Sequence, residues 1–194
     1  MNLAALIVAT AVLVMIPGPN VALIVANSLR YGFRMGVATV LGTTVGVGLQ
    51  LVLVVLGLAA VVAIAADALA WIRWVGVAYL IYLGIRTWRE PPGDLASIQA
   101  APVMFRRGLV IALLNPKTLL FNAAFIPQFA GDATAVQLAV VAAVFLAVLS
   151  AGDVLWAAFA HSARSALARY GMLRNRLTGA FLVVAGVGLA LARR

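Results

Sequence analysis

The sequence predicts an all-α integral membrane protein: six transmembrane helices in two inverted three-helix repeats, with helices one and four interrupted by proline. Three observations carry that prediction. Apolar residues make up 65% of the chain and charged residues 10%, whereas soluble domains hold about 45–50% and about 25%. Such a chain cannot cover its own surface with polar groups. Six runs approach the roughly 20 apolar residues that a helix needs to cross the hydrocarbon core. Two of those runs, the first and the fourth, are broken by proline at corresponding places in the two halves.

The first run extends from Leu3 to about Ala26. It has no positive leader and carries Pro17-Gly18-Pro19 inside it, so it reads as a retained span rather than a signal peptide. The second, about Gly36 to Ile64, and the fifth, about Ala133 to Ala160, are longer than one crossing requires, which predicts tilt or an interfacial extension. The third covers about Ala70 to Trp88, the fourth about Gly108 to Phe129, and the sixth about Leu177 to Ala192. Residues 1–194 read as one transmembrane domain, with repeat one about 1–90, a cytoplasmic linker about 89–107 and repeat two about 108–194. Three spans per half is an odd number, so the second half is inverted relative to the first. The chain contains no cysteine, which excludes a disulfide framework and a thiolate metal site.

Net charge is +9, with 13 Arg, one Lys and five acids. The arginines sit mainly on one side. Arg30 and Arg34 follow span one, Arg86, Arg89, Arg106 and Arg107 flank the third connection, and Arg164, Arg169, Arg174 and Arg176 follow span five. The opposite side holds Arg73, Arg193 and Arg194. Lysine and arginine accumulate in cytoplasmic loops, so both termini are expected on the non-cytoplasmic side. Topology accounts for the basic balance, and no nucleic-acid role is expected.

Proline removes a backbone donor and clashes with the preceding turn. In hydrocarbon, the breaks at Pro17-Gly18-Pro19-Asn20 and Asn115-Pro116-Lys117 survive only where protein or a watery cavity satisfies the freed groups. Broken helices at matching positions of inverted halves point to the binding site of a secondary transporter. Lys117 and Asp153 are the ionisable residues well inside spans, and each is costly there by at least about 2.5–3.5 kcal/mol on insertion scales. The functional reading makes Asp153 a group that alternates between protonated and ionised forms, with Lys117 as a fixed positive charge. The alternative is a salt bridge joining two spans. A broken helix also aims the positive end of its second half at the membrane centre. Two such ends suit a carboxylate and Asp153 suits an ammonium, which together match an amino acid.

Asn20, Asn115, Thr43, Thr44 and Gln50 add polar groups at membrane depth, for ligand contact or for closing the breaks. Asn20, Asn115 and Thr44 join Asp153 and Lys117 as candidate substrate or proton ligands. Gly42, Gly46, Gly76 and Gly179 are expected at close helix contacts. Trp71, Trp74 and Trp88 fit an interfacial aromatic belt, and His161 reads as a solvated interfacial residue.

Taken in order, these motifs resemble the LysE/RhtB family of small bacterial amino-acid exporters. The resemblance covers nearly the whole chain. It includes Pro17-Gly18-Pro19-Asn20, Ser28-Leu29-Arg30-Tyr31-Gly32, Gly42-x3-Gly46 and Trp74-Val75-Gly76-Val77-Ala78-Tyr79. Phe105-Arg106-Arg107-Gly108, Asn115-Pro116-Lys117, Pro127-Gln128-Phe129 and the glycines of the last span, Gly179, Gly186 and Gly188, complete it. The resemblance implies export of amino acids or close derivatives across the bacterial cytoplasmic (inner) membrane, driven by proton antiport, with no cofactor and no enzymatic activity. The expected partners are the amino-acid substrate and the lipid bilayer, and a homodimer is left open. A six-span exporter of metal cations or another small solute is the main alternative. It would want several carboxylates, His or thiolates together, and this chain offers one clear intramembrane acid.

Overall fold

The computed structural model describes residues 2–56, 66–89, 100–130, 134–168 and 170–191, and among these residues the regular structure is entirely helical. The helices are α1 (Leu3–Met15), α2 (Pro19–Tyr31), α3 (Phe33–Val55), α4 (Ala66–Arg89), α5 (Ala101–Leu113), α6 (Pro116–Ala130), α7 (Ala135–Ala168) and α8 (Gly171–Leu191). Among the described residues, α3, α7 over Ala135–Arg164, and α8 are each long and apolar enough to cross a membrane. The pair α1 and α2 passes the same test together, bent by 59° at its break.

Each break follows from local chemistry. The Asn2 side chain caps α1 by accepting from the Ala5 amide at 3.0 Å. The helix stops at Ile16, where the chain turns extended just ahead of Pro17, whose ring leaves the preceding residue little access to helical geometry. Pro19 then starts α2 in its first turn, where a missing N–H costs nothing. Gly32 joins α2 to α3 at φ 90°, a left-handed conformation that glycine adopts without strain.

Several helices outrun the apolar stretches. Helix α5 begins at Ala101, inside the stretch read as a linker, with Pro102 in its first turn. Helix α7 runs on to Ala168 and α8 starts at Gly171, ahead of Arg174 and Arg176. Hydropathy marks where hydrocarbon ends, but a helix keeps its backbone bonded as it passes into the headgroup layer. The 34 residues of α7 extend about 51 Å at 1.5 Å per residue, more than one hydrocarbon core. The end of the second predicted span, most of the linker, Arg169, Arg193 and Arg194 lie outside the described residues.

Close approaches set the packing. A Cβ on Gly42 would run into the Phe105 carbonyl of α5, one on Gly46 would lie 2.6 Å from the Ala112 Cβ, and one on Gly108 would strike the Thr39 carbonyl of α3. The backbones of α3 and α5 therefore pass in direct contact. Helices α4 and α8 meet in the same way, since a Cβ on Gly179 would lie 2.6 Å from the Gly84 carbonyl oxygen. Gly76 has more room, with Leu114 3.6 Å from its would-be Cβ. One apolar cluster gathers Leu6, Val47, Ile126, Val141 and Phe145, and a second gathers Leu23, Leu80, Ile111 and Leu182. Val8, Met15, Leu155, Phe159 and Val184 stay outward and exposed, as a lipid-facing surface requires.

Candidate functional site: a polar cavity at two helix breaks

Lys117 stands in the first turn of α6 and reaches back to the open end of α1. Its ammonium donates to the carbonyl oxygens of Ile16 at 2.8 Å and Leu13 at 3.3 Å. Trp156 of α7 donates its indole N–H to the Val14 carbonyl at 3.1 Å. The Val14 and Ile16 carbonyls at the helix end thus find donors on α7 and α6, and the Leu13 carbonyl shares the Lys117 ammonium with the Ile16 amide at 3.3 Å. An unpaired carbonyl buried away from water costs about 1–3 kcal/mol, so these contacts stabilise the break.

The second break has its own set. Asn115, just ahead of α6, accepts from the Lys117 amide at 3.1 Å and donates to Asn20 Oδ1 at 3.0 Å. The Asn20–Asn115 bond ties the two breaks together in the buried interior. The Gln50 amide donates at 2.9 Å to the Ala112 carbonyl, which also accepts from the Asn115 backbone amide at 3.1 Å, and accepts from Asn122 at 3.0 Å. Gln50 therefore bridges α3 to the end of α5, and Asn122 holds it there.

A small cavity of about 30 Å³ lies between the breaks, lined by Gly18, Asn20, Asn115, Lys117, Thr118 and Asp153 among others. Asp153 is 3% exposed, and the Thr43 side chain stands beside its carboxyl. The Lys117 charge also acts on it, although among the described residues the two form no ion pair within 4 Å. The pair is not the inter-span salt bridge that the sequence left open. Both groups face one cavity and leave space between them. Its second wall is the start of α2, where Gly18 gives no side-chain cap, so the positive end of that helix points into the cavity.

The cavity gathers Asp153, Lys117, Asn20, Asn115 and Gly18. Thr44 is elsewhere: its hydroxyl pairs with Ser150 at 2.8 Å, between α3 and α7. Its neighbour Thr43 takes the place beside Asp153. One residue decides which face of a helix a side chain occupies, and the doublet Thr43-Thr44 does not say which is which. Trp156, Thr118 and Asn122 were not singled out as site residues from the sequence. For Trp156 a signal existed, since an indole three residues after an intramembrane acid lies on the same helix face. His161 is exposed, with its ring centroid 6.1 Å from that of Phe33.

Apolar helices, broken around a cavity that one acid and one amine line, define the class as a helical membrane protein. The chain belongs to the LysE type translocator family, whose model matches residues 11–193. Among its relatives, an uncharacterized membrane protein of Pseudomonas aeruginosa is 31% identical over 197 residues, covering 92% of this chain and 90% of that one. The homoserine/homoserine lactone efflux protein of Salmonella typhimurium is 36% identical over 117 residues, 58% of this chain and 57% of its own length. The leucine efflux protein of Klebsiella pneumoniae is 27% identical over 135 residues, 66% of this chain and 63% of its own. The alignments to the efflux relatives thus span somewhat under two thirds of those proteins. No solved structure matches the chain.

Proposed function

We propose that this chain exports amino acids or close derivatives across the cytoplasmic membrane by proton antiport, using the cavity between the two breaks. The observation that carries the reading is Asp153 facing that cavity, buried, opposite Lys117 and the open start of α2. An amino acid would set its carboxylate at the helix start and Lys117, and its ammonium at Asp153. The names of the efflux relatives support this substrate class, and the resemblance leans toward neutral amino acids.

Thr43 suits a site whose acid changes protonation. Its hydroxyl has one proton to give and donates to the Val40 carbonyl at 2.9 Å. It can accept from Asp153 when the acid is protonated, or turn to donate when it is ionised. A proton arriving from outside would release the ammonium from Asp153, and substrate binding from inside would expel that proton.

Six spans in two inverted halves are part of the same proposal. The helix contacts support it, because among the described residues exchanging the halves maps most of them onto each other, though not the α2–α8 contact. Helix α3 of the first half packs on the broken pair α5 and α6, and α7 of the second half packs on the broken pair α1 and α2. Helix α2 meets α3 as α6 meets α7, and α4 meets α8. The arginine distribution supports termini on the non-cytoplasmic face.

Counterflow in proteoliposomes tests the function. Vesicles loaded with an unlabelled amino acid should accumulate the labelled form, and an imposed pH gradient should drive efflux. A panel of neutral and basic amino acids that gives no counterflow would remove the reading.

A further inference from the structure

A second, small cavity, about 30 Å³, opens between α2, α4, α5 and α8, lined by Asn27, Arg30, Arg86, Thr87, Arg107 and Thr178 among others. It shares no lining residue with the cavity at the breaks. Asn27 lies seven residues beyond Asn20 on α2, about 10 Å along the axis. Three helices each bring one guanidinium to its wall, and the charges of Arg86, Arg107 and Arg174 all act on Arg30. No lining residue is acidic; Glu90 and Asp94 lie outside the described residues.

One buried group on the wall has donor capacity to spare, and Arg174, one turn earlier on α8 and not on the wall, holds another. Thr178 is 2% exposed and its hydroxyl has no hydrogen-bond partner, and the Arg174 Nε, in a side chain 4% exposed, has none either. A helical threonine ordinarily bonds a carbonyl of the preceding turn, so an idle hydroxyl on a cavity wall points to a ligand. The guanidinium fork matches an oxyanion edge with two parallel N–H donors. Positive charge gathered from three helices around one space favours a group with more than one negative charge over a lone carboxylate. Basic pockets between membrane helices are sites for phosphate headgroups.

We propose that this cavity binds a phosphate group, with Arg107 and the Thr178 hydroxyl among its ligands. The phosphate can come from an anionic lipid headgroup or from the free ion, and the site does not depend on the transport reading. The full chain, purified in zwitterionic detergent, would be titrated with cardiolipin and with phosphatidylcholine by native mass spectrometry. Inorganic phosphate would be titrated by thermal melting. Saturable binding of one cardiolipin, weakened about tenfold or more in both Arg107→Gln and Thr178→Val, supports the site with a lipid occupant. Saturable stabilisation by inorganic phosphate, lost in the same variants, supports it with the free ion. Arg106→Gln, next door but not on the wall, should bind like the parent chain. Thr178→Val removes only a hydroxyl and keeps the test readable where Arg107→Gln does not fold. No saturable binding of either probe overturns the proposal, and so does an Arg106→Gln loss equal to that of the two wall variants.

Discussion

Lys117 Nζ lies 2.8 Å from the carbonyl oxygen of Ile16, so the chain's single lysine closes the end of a helix 101 positions earlier in sequence. One side chain thereby does two things. It satisfies carbonyls that the Pro17 break sets free, and it carries a positive charge at the rim of the cavity that Asp153 faces. Lys117→Met is expected to take the ammonium from the Ile16 carbonyl, while the Leu13 carbonyl keeps the Ile16 amide at 3.3 Å, and to cost about 1 kcal/mol. Thermal melting in detergent should show the drop, and an unchanged midpoint would mean that the contact contributes nothing to stability.

Asp153→Asn keeps the shape and hydrogen bonding of the side chain and removes its proton exchange. The variant is expected to reach the membrane but to lose efflux driven by a pH gradient, and any remaining exchange should no longer depend on pH. Asp153→Glu keeps a titrating group and should retain part of the activity. Normal coupling in the Asn variant, measured in reconstituted vesicles, would remove Asp153 from the mechanism.

The break itself can be tested through Pro17 and Pro19. Replacing both by alanine lets a continuous helix regain its internal bonds, which turns the start of α2 away from the cavity. Membrane insertion should survive while export falls strongly. A normally expressed double variant with full transport would show that the break is not needed.

Glycine positions offer a paired stability test. A Cβ at Gly42 meets the Phe105 carbonyl, while one at Gly188 meets nothing within 4 Å. Gly42→Ala should therefore lower the melting midpoint, by an overpacking cost of about 1–3 kcal/mol, and Gly188→Ala should not. Equal effects at the two positions would contradict the close passage of α3 and α5.

Orientation is readable by labelling, because the chain has no native cysteine. Arg34 is exposed at the start of α3. A cysteine replacing it should resist a membrane-impermeant maleimide in intact cells and react in inside-out vesicles. Reaction in intact cells would invert the topology.

Much of this protein was legible before any coordinates. Composition alone requires a membrane-embedded helical chain, since a surface this apolar has no other solvent. The breaks at Pro17-Gly18-Pro19 and Asn115-Pro116 were visible too, because proline's effect on a helix is local and independent of its neighbours. Asp153 and Lys117 stood out for the same kind of reason, as charges where hydrocarbon makes charge expensive. What they do to each other was not legible. Whether they pair or face a common space depends on the angle at which α6 and α7 meet, and only packing sets that. The same holds for Thr43 against Thr44, where one step along a helix turns a side chain by about 100°, from the Asp153 wall to Ser150. It holds most of all for the arginine cavity. A loop count reads its arginines as markers of orientation, and only the tertiary structure brings four helices together around the idle hydroxyl of Thr178. Local chemistry declares itself along a chain. Juxtaposition of residues about 150 positions apart, such as Asn27 and Thr178, comes from the helix crossings.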